Sequence, residues 1–514
     1  MKKDFGSKEW KSYLPIPVFD EHPEYNDLYI KAWELARDHV KYIDGMPQNP
    51  YMDEAFCDTQ VWIWDTCFMT LFCKFAQEVF PGVETFKNFY YVLDGEGILP
   101  EVIPTENEPF WTFAVPGQPK NVEVHMADNP PLFAWAEYEN ALIHGDKDYL
   151  KELLYNKKSL QKHYEWIENL TESVHLDGVH LPTYLMNKGD GFTWEGGASG
   201  MDNTPRGRKG KKAEAERPNN PDMLWIDAIC QQALSALMIS RLFELVEDKE
   251  QSLIWKAKYQ EKKDIVNSLY WSEEDSFYYD IDVNDKHLYK VPTIASYWTL
   301  VSEIANAKQA KALAKLITDP QKFGGDVPFV SVARDDADFV SHGQYWRGSV
   351  WMPSAYSTLR GLSKYGFHKE AHIAAGKILK HMYRTYQEYE PHTIWEAYSP
   401  CEARPSTCTD GESIVRPDFC GWSALGPISI YLEYVLGFHK INAFENVVEW
   451  EMPQDVKGKI GIKNLRFGEI VTNIVADDKI CTVVSNGAYT LKINGVAFDI
   501  SQGETLINLV KEKD

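Results

Sequence analysis

The sequence predicts a mainly α protein, a toroid of paired helices carrying a small β-sandwich-like module at its C-terminal end. Three observations predict it. Apolar residues recur at helical spacing through the first 440 residues. Long segments rich in Gly, Pro, Trp and Asp separate the helical stretches. Beyond Asn442 the texture changes to short β-rich runs broken by turn dipeptides. The chain accordingly divides into an N-terminal extension over 1–24, a helical domain over 25–440 and a β domain over 441–514.

The first helical stretch, Tyr25–Tyr42, carries Tyr29, Trp33, Ala36 and Val40 on one stripe. Asp65–Phe80, Asn129–His144, Tyr149–Asn169, Asp222–Val246 and Gln251–Leu269 repeat the pattern. Pro292–Ile304, Ala307–Ile317, Val350–Leu362, His368–Tyr386 and Trp422–Gly437 follow. Roughly a dozen such helices, joined by loops of irregular length, favour a closed toroid over a solenoid of regular repeats. The loops Asp94–Glu123, Thr183–Pro221 and Glu388–Cys420 are long enough to expect function of them. The strands are Val447–Trp450, Val456–Ile462, Leu465–Val475, Ile480–Val484, Tyr489–Ile493 and Val496–Ile500, with turn signals at Asn486-Gly487 and Asn494-Gly495.

Composition removes several classes of function. With 514 residues, 44% hydrophobic and 13% aromatic, the chain builds a large core and is not disordered. Its 17 Trp and 28 Tyr exceed what such a core needs. A net charge of −23 repels phosphate backbones and anionic lipid, so neither nucleic acid nor a membrane is an expected partner. Eight cysteines form no CxxC pair, and Cys401, Cys408 and Cys420 lack zinc-ribbon spacing, so buried free thiols are expected. Met1–Tyr13 lacks the apolar run of a signal peptide, and no stretch has the ~18 apolar residues of a membrane span. The chain reads as soluble: cytoplasmic, or periplasmic where a leader has been trimmed. The basic run Arg206–Lys212 reads as a solvated loop tip, and Asp280, Asp282, Asn284 and Asp285 as a surface turn between two short strands.

Four segments combine carboxylates with aromatic rings beyond the needs of packing. In Trp62-Ile63-Trp64-Asp65, an extended conformation puts two indoles on one face beside a carboxylate. Sugars require that pairing, because their C–H faces stack on indole while their hydroxyls need fixed polar partners. The alternative is that Asp65 caps a helix. Glycine and other small residues precede Asp202 in Trp194–Arg206 and allow close backbone approach to a ligand, although Asp and Asn are also ordinary turn residues. Tyr345, Trp346, Arg347 and Trp351 cluster in a loop ahead of a helix, the composition of a binding rim. Glu396 stands between Trp395 and Tyr398, with Trp422 downstream. Asp202 and Glu396 are the carboxylates most heavily framed in this way, and glycosidic bond cleavage needs two, one acid and one base or nucleophile.

Trp62-x-Trp64-Asp65-x-x-Phe68, Ser199-Gly-Met-Asp202-Asn-x-Pro205-Arg206, Tyr345-Trp-Arg-Gly-x-Val-Trp351, Trp395-Glu396-x-Tyr398-x-Pro400 and Phe419-x-Gly-Trp422 stand in the order seen in glycoside hydrolase family 63. The resemblance covers about residues 55 to 435 and extends to the family 37 trehalases. It implies an (α/α)6 barrel and an inverting exo-acting α-glycosidase that removes glucose or mannose from a small oligosaccharide or glycoside. Asp202 matches the general acid and Glu396 the general base. Trp62, Trp64 and Asp65 match residues holding the sugar, and Tyr345, Trp346, Arg347 and Trp351 match the pocket wall, with Trp395 and Trp422 in the motifs beside it. Asn129 stands where family members carry Gln before two prolines, and Glu412 is a second candidate near the base. No metal or cofactor is implied, and the oligomeric state is not legible. The alternatives are a trehalase-like hydrolase, or a sugar epimerase of toroidal fold drawing on His125, His342 and His392.

Overall fold

The computed structural model describes residues 3–55, 60–96, 99, 102–105, 130–176, 179–181, 183–214, 218–454 and 456–509. Helices dominate up to residue 435, and they fall into two kinds. Ile63–Cys73, Phe133–His144, Ile226–Leu245, Trp298–Val301, Met352–Lys364 and Gly426–Val435 are buried over most or all of their length. Each packs on the next, and Gly426–Val435 returns to Ile63–Cys73, so the buried helices close a circuit. The others are amphipathic. Lys249–Leu269 buries only Ser252, Trp255, Tyr259, Lys262 and Val266, spaced to form one stripe against Ile226–Leu245. A helix hydrophobic all round belongs inside, and one with a single stripe covers it.

Local chemistry sets the helix ends. Asp146 and Asp248 accept from backbone N–H groups of the turns they open. Asn306 and Gln309 form a reciprocal capping box at Ala307–Thr318. Asn306→Ala removes both the side-chain acceptor and the box, and is expected to cost about 1 kcal/mol. Urea denaturation would measure it, and an unchanged midpoint would refute it.

Several helices are shorter or differently wound than their periodicity implies. The stretch Tyr149–Asn169 is not one helix: a π-helical turn over Glu152–Lys157 ends at Lys158 (φ 57°), and Ser159–Glu168 starts anew. Trp422–Gly437 is a 3-10 turn, Ser423–Leu425, followed by a π-helix, Gly426–Val435. Phe86–Glu96 is a further helix, outside the stretches expected, with Phe86, Phe89, Tyr90 and Leu93 buried at helical spacing.

The C-terminal strands form two sheets. One is antiparallel, in the order Ile16–Phe19, Ile460–Phe467, Ile470–Ala476, Ile480–Ser485, Gly503–Asn508. The other runs Lys440–Asn442, Val447–Trp450, Tyr489–Ile493, Val496–Ile500, with Val447–Trp450 parallel to Tyr489–Ile493. Alternate burial along Ile470–Ala476 and Tyr489–Ile493 shows one face of each turned inward. The edge strand Ile16–Phe19 comes from the N-terminal segment and carries Pro17, which an edge tolerates. Asn494 and Gly495, both at positive φ, make the anticipated hairpin. Asn486-Gly487 makes none: the chain there leaves one sheet for the other, and Asn486 Oδ1 accepts from Val471 N–H at 2.8 Å. Trp450 stacks on Phe438 (4.8 Å, 11°) and donates to the Leu436 carbonyl, fastening this module to the last buried helix.

Candidate active site

Gln60–Trp62 is a strand and Ile63–Cys73 the helix that follows it, with Trp62 extended at the N-cap. The two indoles therefore do not share the face of one extended segment. Trp64 lies in the first helical turn, edge-on to Phe68 one turn later (4.8 Å, 71°). Trp62 is half-buried at the strand end. Asp65 does not cap the helix. It is buried, and its Oδ1 has no hydrogen-bond partner among the described residues. Burial pushes its carboxyl well above the usual range, neighbouring Glu396 and Asp202 add to the rise, and Arg416 opposes it.

The glycines before Asp202 make room for protein rather than for a ligand. A Cβ at Gly196 would lie 2.2 Å from the Asp202 carbonyl oxygen, and one at Gly200 (φ 78°) only 3.0 Å from the Trp64 indole. The loop so folded leaves Asp202 half-exposed, beside a fully buried Asn203. Asn203 is more than a turn residue. Its Nδ2 donates to the Gln344 carbonyl (3.0 Å), its Oδ1 accepts from Trp346 N–H (2.8 Å), and its carbonyl accepts from Arg347 Nε (3.1 Å). One side chain thus fixes the Asp202 loop to the 344–347 loop. In the sequence it is marked only by its place beside Asp202 in the Ser199–Arg206 motif.

Gln344 and Tyr345 are both left-handed (φ 58° and 60°). Thr407 supports them, its Oγ1 accepting from Gln344 N–H and its carbonyl from Tyr345 N–H. The turn directs the Tyr345 hydroxyl onto Glu396 Oε1 at 2.7 Å. Trp346 and Trp351 stack in parallel (4.4 Å, 2°), both buried, with Tyr345 edge-on to Trp351 and Trp422 5.6 Å beyond it. Trp395 is buried against Tyr389 (5.5 Å, 83°).

Glu396 is 1% exposed. Besides Tyr345 on Oε1, its Oε2 accepts from Arg416 N–H (3.1 Å), and the Arg416 guanidinium lies 3.6 Å from Oε1. Its own carbonyl accepts from Trp422 Nε1 (2.8 Å) and Ser423 Oγ (3.1 Å), which orients the backbone. Neither residue type nor spacing marks Arg416 in the sequence, and Ser423 is marked only by its place after Trp422. Glu54 was also unread; its Oε1 accepts from Trp62 N–H (3.1 Å), and burial, then Asp53 and Asp65, pushes its carboxyl well up.

The structure thus gathers Trp64, Asp65, Asp202, Tyr345, Trp346, Arg347, Trp351, Glu396 and Trp422. Asn129 and His125 lie outside the described residues. His342, His392 and Glu412 are exposed. The run Arg206–Lys212 is a solvated tip only from Lys209 onward. Arg206 is fully buried, 4.3 Å from the Trp225 ring, and bonded to both Asp227 and Asp280. Arg208 pairs with Asp336 and Asp338. Asp280 is therefore a buried strand residue, and only Val283–Asp285 form the surface turn. Cys401 is exposed and Cys408 half-exposed, unlike the buried thiols expected.

A second buried set of carboxylates is paired with cations. Glu433 pairs with Lys74 at 2.8 Å, and Glu139 with Arg360. Although burial opposes it, Arg360 and Lys74 hold Glu139 down to about 2. Burial still pushes Glu433 up against the pull of Lys74 and Arg360. Asp65 instead lies in the field of the Glu396 and Asp202 carboxylates, with the Arg416 guanidinium opposing them, and its carboxyl is pushed up.

Residues 59–411 match the family described as the mannosylglycerate hydrolase MGH1-like glycoside hydrolase domain. The chain belongs to this family. As a glycoside hydrolase related to family 63, it is 26% identical over 477 residues to an uncharacterized protein of Borreliella burgdorferi, covering 91% of this chain and 90% of that one. It is 24% identical to the mannosyl-oligosaccharide glucosidase of Saccharomyces cerevisiae over 52% of this chain and 33% of that enzyme. The chain thus spans about a third of that curated relative. The family 63 mannosylglycerate hydrolase of Thermus thermophilus, in complex with glucose, shares the fold, with a TM-score of 0.58 at 18% identity over 78% of this chain and 99% of that one. The MGH1-like domain is a mainly helical toroid with C-terminal strands beyond it. Among the described residues no helix is long and apolar enough to cross a membrane.

Proposed function

We propose that this glycoside hydrolase is an inverting, exo-acting α-glycosidase that removes glucose, or mannose, from a small oligosaccharide or glycoside. Asp202 acts as general acid and Glu396 as general base. The observation that carries the reading is the setting of Glu396: buried, held on one oxygen by Tyr345 and on the other by Arg416 N–H, and near Asp65, whose carboxyl is raised by both Glu396 and Asp202. A carboxylate held by two donors keeps its orientation toward a water. Asp202, half-exposed at the lip of its loop, protonates the leaving oxygen from the side open to solvent. The exposure of His342 and His392 weighs against histidine-driven epimerisation. The circuit of buried helices with amphipathic ones outside it supports reading 25–440 as an (α/α)6 barrel, preceded by an N-terminal extension over 1–24 and followed by a β domain over 441–514.

Glucose and mannose both belong to the proposal, since one relative is a mannosyl-oligosaccharide glucosidase while the matched family and the structural neighbour bear the name mannosylglycerate hydrolase. Proton NMR of the protein with a panel of α-glucosides and α-mannosides tests all of this together. The β-anomer should be the first product, and Asp202→Asn should form none from substrates with poor leaving groups. First release of the α-anomer would refute inversion. No release from any member of the panel would refute the proposed substrate class.

A further inference from the structure

Two histidines and a glutamate from three separate segments converge where the helical part meets the β module. His368 opens the helix His368–Glu388, His439 follows the last buried helix, and Glu451 directly follows the strand Val447–Trp450. One ring nitrogen of each histidine and one Glu451 carboxylate oxygen lie within 4.8 Å of one another, and all three residues are half-buried.

The backbone builds this convergence. The Gly437 carbonyl accepts from both Glu451 N–H and His439 N–H at 2.9 Å. A Cβ on Gly437 (φ 94°) would lie 2.0 Å from the Glu451 carbonyl oxygen, so only glycine lets these segments approach so closely. The same Gly437 carbonyl stands 3.4 Å from His439 Nδ1. A carbonyl there holds the proton on Nδ1 and leaves Nε2 with its lone pair outward, the orientation found in metal-ligating histidines. Ser363 Oγ stands 3.3 Å from Nδ1 of His368. Glu449, on the same side of the strand as Glu451, turns its Oε2 to 3.9 Å from His439 Nε2, while Lys440 and Lys492 hold its Oε1.

We propose that His368, His439 and Glu451 bind one divalent transition-metal ion of the zinc class, with Glu449 supplying or orienting a further ligand. Two imidazoles and a carboxylate suit zinc and its neighbours better than the all-oxygen preference of calcium or magnesium. Metal–ligand bonds of about 2.0–2.1 Å place donor atoms roughly 3.3 Å apart, so modest side-chain rotation closes the set. Arg360 donates to the His439 carbonyl and is neutralised by Glu139 and Glu433, and Lys440 and Lys492 are paired with Glu449. The ion ties the helix start at His368 and the turn at Gly437 to the β module. It stands at the opposite end of the Ser423–Val435 segment from Trp422 and Ser423, which hold Glu396, so it serves cohesion rather than hydrolysis.

The test is titration of the chelator-treated full-length chain with zinc ion alone, followed by calorimetry and by the melting temperature. One equivalent should bind and raise the melting temperature. His368→Ala and Glu451→Gln, with helical circular dichroism unchanged, should each weaken binding by ~10-fold or more. His287→Ala is the control, because Asp282, Asp285 and His287 form an exposed cluster of similar composition. No saturable binding would overturn the proposal, as would binding that survives His368→Ala with Glu451→Gln, or binding lost in His287→Ala.

Discussion

Glu396→Gln should lower kcat by ~10²–10⁴-fold while the fold survives, because an amide of the same shape cannot take a proton from water. The substitution is nearly isosteric, and the carbonyl oxygen of the new amide can still accept from the Tyr345 hydroxyl that now bonds Glu396 Oε1. The amide NH2 then faces Arg416 N–H, which bonds Oε2 in the wild type, so the melting temperature should fall modestly while circular dichroism is unchanged, which separates lost chemistry from lost structure. Asp202→Asn should match that loss on substrates with poor leaving groups, but by a different cause. Asp202 supplies a proton to the departing oxygen, and a leaving group that needs none makes that proton redundant. A glycosyl fluoride should thus recover much of the activity of Asp202→Asn and none of that of Glu396→Gln. Equal recovery in both variants would remove the assignment of roles, and near-normal turnover in both would remove the mechanism.

The fold class and the motif loops were legible because they rest on periodicity and composition. Buried helices such as Ile226–Leu245 and striped ones such as Lys249–Leu269 announce themselves through apolar spacing. What spacing does not carry is winding and long-range partnership. The π-helical turns at Glu152–Lys157 and Gly426–Val435 keep apolar content and change only the hydrogen-bond register. Ile16–Phe19 joins a sheet whose other strands lie more than 400 residues away, and its proline argues against a strand until the edge position is known. The site divides in the same way. Asp202 and Glu396 stand out by their neighbours in sequence. Arg416 and Asn203 act through backbone groups and loops 20 to 144 positions distant, which no local pattern records.

Arg206 shows how a residue read as solvated can carry a large structural load. Arg206→Ala leaves Asp227 and Asp280, 1% and 2% exposed, without their shared cation, and breaking such a buried set costs about 3–5 kcal/mol. That is a large share of the ~5–15 kcal/mol that holds a typical domain together. The guanidinium bonds both carboxylates from two edges, Nη1 and Nη2 to Asp227 and Nε and Nη2 to Asp280, and lies on the Trp225 ring. Lysine keeps the charge but has no fork and no planar face to stack, so Arg206→Lys should recover only part of the loss. Neutralising the stranded acids should recover more. Asp227→Asn with Asp280→Asn, added to Arg206→Ala, should be less destabilising than the sum of the separate changes, since the cost lies in unpaired buried charge. Additive losses in urea denaturation would show instead that packing around Trp225 carries the energy. The same bonds fasten the loop of Asp202 to the first turn of Ile226–Leu245, so Arg206→Lys should also lower kcat at temperatures where it remains folded.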